Sequence, residues 1–160
     1  MITTRFTTLS EDALLKEWLS EPEILRWYPM INEREVDDAV RLWINYARYH
    51  ACLTAELDGV ACGMANLNLQ PFQKFAHQCL LSVIVGKEYR GKGVGTKLME
   101  DLIVLAKDTF HIEILHLEVY EGNPAISLYR RLGFKEFGCQ KKFIKEGEKY
   151  TGKIFMERVL

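Results

Sequence analysis

The sequence predicts an α/β fold of the α+β type: one mixed, mostly antiparallel twisted sheet flanked by about four helices. Three observations predict it. Apolar runs of strand character alternate with segments of helical periodicity in the order β-α-α-β-β-β-α-β-α-β-β. A strand, a helix and another strand surround the stretch YRGKGVGTKL, residues 89–98, which implies a parallel pair joined by a right-handed crossover. Most other neighbouring strands meet at short polar turns, which implies antiparallel pairing.

Taken in order, ITTRFTTL is a first strand, rich in β-branched residues. Ser10-Glu11-Asp12 starts a helix carrying Ala13, Leu14, Leu15 and Trp18 at helical spacing. Pro22 and Pro29 bracket an aromatic elbow, EPEILRWYPM. A second helix runs from about Glu33 to Tyr49, with Val36, Val40, Trp43, Ile44 and Ala47 on one side. ACLTAEL and VACGMANLNL flank Asp58-Gly59, a strong hairpin signal. HQCLLSVIV is apolar enough for a central strand. Val94 to Lys107 is a helix with Val94, Leu98, Leu102 and Leu105 about a turn apart, and IEILHLEVY is the strand after it. Pro124 to Leu132 is a short helix that stops at Gly133. FKEFGC and KYTGKIFMERVL close the chain as strands around Lys145-Glu146-Gly147-Glu148.

No repeat, low-complexity tract or Gly/Ser linker divides the 160 residues, so one domain is expected over 1–160. With a formal net charge of −1, no global field recruits nucleic acid or an acidic membrane; any basic site must be local. Cys52, Cys62, Cys79 and Cys139 form no CxxC pair and sit among apolar residues, which suits buried reduced thiols. The N-terminal residues lack an apolar signal core, and no run approaches the ~18 apolar residues of a membrane span, so a cytoplasmic protein is expected.

The alternating glycines 91, 93 and 95 carry the functional reading. A Walker loop fails because Gly93 stands where a magnesium-binding hydroxyl belongs, and a dinucleotide fingerprint fails because Thr96 replaces its third glycine. A simpler pyrophosphate cradle fits. N–H groups from Gly91 to Thr96, Val94 included, would converge where missing side chains let an anion approach. The helix start adds unpaired donors and a positive dipole end. Arg90, Lys92 and Lys97 supply charge. The plainer alternative is a glycine-rich turn with solvated cations.

A second segment, LEVYEGNPAISLYRRLGF at 117–134, runs strand, polar turn, helix, Gly-Phe. With it the sequence resembles the GNAT superfamily of N-acetyltransferases. R-G-K-G-V-G at 90–95 is similar to that family's acyl-CoA pyrophosphate signature, and N-P-A-I-S-L-Y-R-R-L-G-F at 123–134 to its second signature. They stand in the family's order, 33 residues apart between Arg90 and Asn123.

The resemblance implies a central parallel pair that splays, with the pantetheine arm of acetyl-CoA in the gap. Main-chain groups of Val83 and Val85 would bond that arm, and an N–H of the same strand would polarise the thioester carbonyl. Asn123 resembles the family asparagine that contacts the arm, although only five residues separate it from Tyr129, one fewer than is usual; it also reads as a helix N-cap before Pro124. Tyr129 matches the tyrosine that commonly faces the sulfur. A phenol's ordinary pKa near 10 lies above the ~8.5 of a thiol, so it is the candidate proton donor to the leaving thiolate. Its alternative is a packed aromatic beside Leu128 and Leu132.

The base is less legible. Leu80 stands where many members carry a glutamate. Glu118 is the replacement, in an L-E-V context like that of ribosomal-protein N-terminal acetyltransferases, with His116 on its face. Deprotonation through water, or an ion-paired Glu118, is equally open. No histidine spacing suggests a metal.

The acceptor pocket is implied to lie among the first two helices, their elbow and the last hairpin. Those segments hold Trp18, Trp27, Tyr28, Trp43, Tyr46, Tyr49 and Phe143, with Glu21, Glu23, Glu33, Glu35, Asp37 and Asp38 nearby. Trp18 and Trp43 read as core and Asp37 and Asp38 as a solvated helix start, and Trp27 and Tyr28 as pocket or lid residues. An aromatic, mildly acidic mouth would suit a small-molecule amine or a peptide N-terminus. Many small members pair through edge strands, so a homodimer is a further expectation. A non-catalytic acyl-CoA-binding module, motivated by Leu80, is the competing class, and a nucleotide-phosphate binder is a third.

Overall fold

A computed structural model describes all residues from Met1 to Leu160. Its seven strands form one sheet: β1 (Ile2–Phe6), β2 (Cys52–Leu57), β3 (Val60–Asn68), β4 (Gln78–Val85), β5 (Ile114–Tyr120), β6 (Lys135–Glu146) and β7 (Lys149–Val159). Across the sheet they run β1-β2-β3-β4-β5-β7-β6. Only β4 and β5 are parallel neighbours, and every other pairing is antiparallel. The expected mixed sheet is therefore borne out, with HQCLLSVIV as its central strand.

Alternation decides which helices meet which face. Leu53, Ala55, Ala65, Leu67 and Cys79 pack in one cluster beneath Val94, Leu98, Met99, Leu102 and Ala106 of α4 (Val94–Asp108). The intervening Cys52, Met64 and Ile84 point the other way, against Leu15, Trp18 and Leu19 of α1 (Asp12–Ser20) and Val36, Val40, Trp43 and Ile44 of α3 (Glu33–Asn45). Gly63 lets α4 and β4 lie close: a Cβ there would stand 2.8 Å from the Ile84 carbonyl oxygen and 3.0 Å from Leu98 Cδ1. The β2–β3 turn takes positive φ at both Asp58 (52°) and Gly59 (84°), the geometry that an Asp-Gly pair favours.

Several elements differ from expectation at their ends. The elbow contains a one-turn helix, α2 (Pro22–Leu25), with Pro22 in the first turn, so the helices number five. The second predicted helix leaves α geometry at Asn45. A 3-10 turn over Tyr46–Tyr49 finishes it, and His50 caps that turn at φ +53°. The short helix α5 (Ile126–Arg131) begins after Pro124, because the Asn123 side chain holds the intervening turn by accepting from Ala125 N–H at 2.9 Å. Cys52, Cys62 and Cys79 are buried as expected, whereas Cys139 is exposed because every residue around it on β6 faces solvent.

Candidate active site

The parallel pair is short. β4 and β5 are in register only at Gln78–Ile114, Cys79–Leu115 and Leu80–His116. Beyond Leu80 the strands continue separately to Val85 and Tyr120, and the gap between them opens into a cavity of about 810 Å³. Gly86 N–H bonds the Cys62 carbonyl of β3, so antiparallel alternation turns the main-chain groups of Val83 and Val85 away from β3 and into the gap. Two contacts reveal that direction. Tyr28 Oη donates to the Val83 carbonyl at 2.8 Å, and Arg90 Nε donates to the Val85 carbonyl at 3.4 Å.

At the mouth of the gap stands the glycine corner. Gly91 and Gly93 take φ of +71° and +86°, a left-handed backbone that glycine adopts without steric penalty. Gly93 caps α4 with no side-chain hydrogen bond, and the first turn holds no acid. The first bond back into the helix is Lys97 N–H to the Gly93 carbonyl, so the N–H groups of Val94, Gly95 and Thr96 have no helical acceptor. A Cβ at Gly91 would meet nothing within 4 Å, leaving the approach bare. Gly95 serves packing: its Cβ position lies 3.4 Å from Leu128 of α5. These donors, with Arg90 on the cavity wall, fit a diphosphate. Lys92 lies outside the cavity wall with its Nζ over the Tyr89 ring, and Lys97 is tied to Asp101 at 2.8 Å.

Tyr129 lines the cavity from the α4 side, held edge-on to Phe134 and nearly buried. Its hydroxyl makes no hydrogen bond within the chain, and burial pushes the phenol up to about 12. A phenol so shifted holds its proton more tightly than an ordinary tyrosine, so at neutral pH it stays a hydrogen-bond donor on the cavity wall. Asn123 also lines the cavity; its Oδ1 is committed to Ala125, which leaves the side-chain NH₂ for a ligand.

Glu118 lies on the opposite face, that of α1 and α3, because Leu115, Leu117 and Val119 take the α4 side. Its Oε2 accepts from Lys153 Nζ at 2.6 Å. His116 is on the same face but lines no part of the cavity; burial holds it below the ordinary histidine range, opposed by Glu118 and Glu157. Trp27 and Tyr28 form the roof from the elbow. The acidic mouth is not formed. Glu23 pairs with Lys87, Glu33 and Asp37 with Lys16, and Asp38 with Arg41, while Glu35 accepts from Ile31 N–H. None of them, nor Glu21, reaches the cavity, whose only carboxylate is Glu118. Among the lining residues that sequence reasoning missed are Tyr120, Arg131 and Lys153. Tyr120 and Lys153 become visible only once β5 and β7 are known to pair with these two opposite each other.

The sequence pattern of the Acetyltransferase (GNAT) family matches residues 13–134. The chain is 34% identical over 109 residues to an N-alpha-acetyltransferase of Sulfurisphaera tokodaii, a match covering 61% of this chain and 64% of that one. It is 32% identical over 133 residues to the L-methionine sulfoximine/L-methionine sulfone acetyltransferase of Pseudomonas aeruginosa, covering 79% and 76%. The structure superimposes with a TM-score of 0.82 on that of yncA from Salmonella typhimurium, solved with its cofactor acetyl-CoA, at 23% identity and over 99% of this chain and 93% of that one. No helix here is long and apolar enough to cross a membrane. By its matched residues and its fold, the chain belongs to the GNAT family of acetyltransferases.

Proposed function

We propose that the protein transfers an acetyl group from acetyl-CoA to a primary amine of a small molecule or a peptide N-terminus, by direct attack in a ternary complex. The observation that carries this reading is the joint opening of one cavity onto both faces of the sheet, with the glycine corner and Tyr129 on one side and Glu118 on the other. Acetyl-CoA supplies an activated thioester. The Gly91–Thr96 amides and Arg90 would hold its diphosphate, while Val83, Val85 and Asn123 would hold its arm. A free N–H of β4 would receive the negative charge that develops on the carbonyl oxygen.

The acceptor must lose a proton before its nitrogen lone pair can attack. Glu118, or water beside it, takes that proton. As the nitrogen–carbon bond forms and the carbon–sulfur bond breaks, Tyr129 stabilises the departing thiolate through its O–H. The second amine proton then reaches the sulfur through water, giving the free thiol, so one proton is released overall when the acceptor enters as an ammonium.

The relatives support an amine acceptor without agreeing on which: one is an N-alpha-acetyltransferase, another acts on methionine sulfoximine and sulfone. Thiol release from acetyl-CoA across an amine panel tests the reading. Acceptor-dependent release is expected. Tight acetyl-CoA binding without turnover on any amine would favour a non-catalytic acyl-CoA-binding module, and tighter binding of ATP than of coenzyme A would favour a nucleotide site.

A further inference from the structure

Resting on that acetyl-transfer reading, we propose that Lys153 and Tyr120 form a carboxylate subsite, and that the acceptor is zwitterionic: a free α-amino acid or close analogue whose amine and carboxylate share one carbon.

The first support is the state of Lys153. Its side chain is only 13% exposed, its Nζ stacks 3.7 Å from the centre of the Phe143 ring, and it bonds Glu118 at 2.6 Å. A lysine on a cavity wall loses hydration and needs an anion beside it. Within the cavity that anion is Glu118 alone, the same carboxylate that an incoming ammonium needs.

The second support is Tyr120. It is 6% exposed, lines the same cavity, and its hydroxyl is buried with no hydrogen-bond partner. A buried phenol without an acceptor is rare in a folded chain unless a ligand or water supplies one. Tyr120 and Lys153 are register partners on β5 and β7, so their side chains project from the same face side by side. Burial pushes the phenol up to about 12, which leaves it a donor at neutral pH. Two adjacent donors, one charged and one neutral, suit the two oxygens of a carboxylate.

Charge matching then selects the acceptor. The resting Glu118–Lys153 pair is neutral. A zwitterion can replace it partner for partner, its ammonium on Glu118 and its carboxylate on Lys153 and Tyr120, so that no charge is stranded. A polyamine or a peptide N-terminus brings the cation without the anion, and Lys153 is left facing it.

The test measures kcat/KM for matched pairs, L-leucine against L-leucinamide and L-methionine against L-methioninamide, with acetyl-CoA saturating. The acids should exceed their amides at least tenfold. Lys153→Met should collapse that acid-to-amide ratio toward one, Lys153→Arg should restore most of it, and Tyr120→Phe should lower it severalfold in a variant that is otherwise folded. Equal rates for acid and amide, or a ratio that survives Lys153→Met, overturn the proposal while leaving acetyl transfer intact. Should no amine be acetylated at all, acetyl transfer itself fails, and calorimetry with the coenzyme A complex still decides the subsite. Leucine binding more tightly than leucinamide supports it; equal or absent binding overturns it.

Discussion

Tyr28 fastens the elbow to the central strand: its hydroxyl donates across the gap to the Val83 carbonyl at 2.8 Å. Burial pushes this phenol far above its ordinary value, so it remains a donor at any physiological pH. The acceptor-side roof is thus anchored on the same main-chain edge that the acyl donor is expected to use.

Replacing Tyr28 by Phe removes that anchor while keeping the ring. A single hydrogen bond of this kind contributes about 1 kcal/mol net. Tyr28→Phe should therefore raise acceptor KM severalfold and quicken proteolytic cleavage within the elbow, with global stability falling by no more than about 1 kcal/mol. An unchanged KM and cleavage pattern would show that the contact does not hold the roof.

Tyr129→Phe should lower kcat by about ten- to a hundredfold, less than the largest general-acid effects because the phenol keeps its proton. Acetyl-CoA affinity should change little. Calorimetry with coenzyme A beside steady-state kinetics separates the two quantities. Undiminished kcat rules out the role at sulfur.

Glu118→Gln removes both the candidate proton acceptor and the partner of Lys153. Its rate should fall, most on the low-pH limb of the kcat/KM profile, where proton removal limits. A variant profile parallel to that of the parent would assign deprotonation to water.

His116 predicts a pH dependence of stability. Burial lowers its pKa below the unfolded value near 6.5, so in acid the unfolded chain binds the extra proton more readily than the folded one. The histidine's contribution is present above the unfolded value and is lost as the pH falls through the lower folded value. His116→Gln should flatten that part of the stability curve in urea titrations from pH 5 to 7.5; an unaltered slope would assign the dependence to other groups.

Much of the fold was legible because its signals are local. Alternation marks β2 to β5, Asp58-Gly59 marks a hairpin, and Gly91 and Gly93 mark a backbone that needs positive φ. Much of the lining on the glycine-corner side of the cavity was legible too, since the first motif places main-chain groups and the second places Asn123 and Tyr129 on the wall. The acceptor side was not. The acids of α3 and the elbow form surface ion pairs that composition cannot distinguish from a pocket lining. Lys153 depends on the β5–β7 register, which the hydrophobic pattern fixes only to within two residues. The one-turn helix at Pro22 is shorter than any periodicity can resolve.

Titration calorimetry of coenzyme A against the parent protein and Gly93→Val tests the central claim most directly. Gly93 sits at φ +86°, where a valine is strained and would shift the N–H groups proposed to hold the diphosphate. The parent should bind saturably and more tightly than it binds ATP, and a folded Gly93→Val, verified by circular dichroism, should bind at least tenfold more weakly. Equal affinity in the two proteins would contradict the assignment of the corner as the diphosphate site.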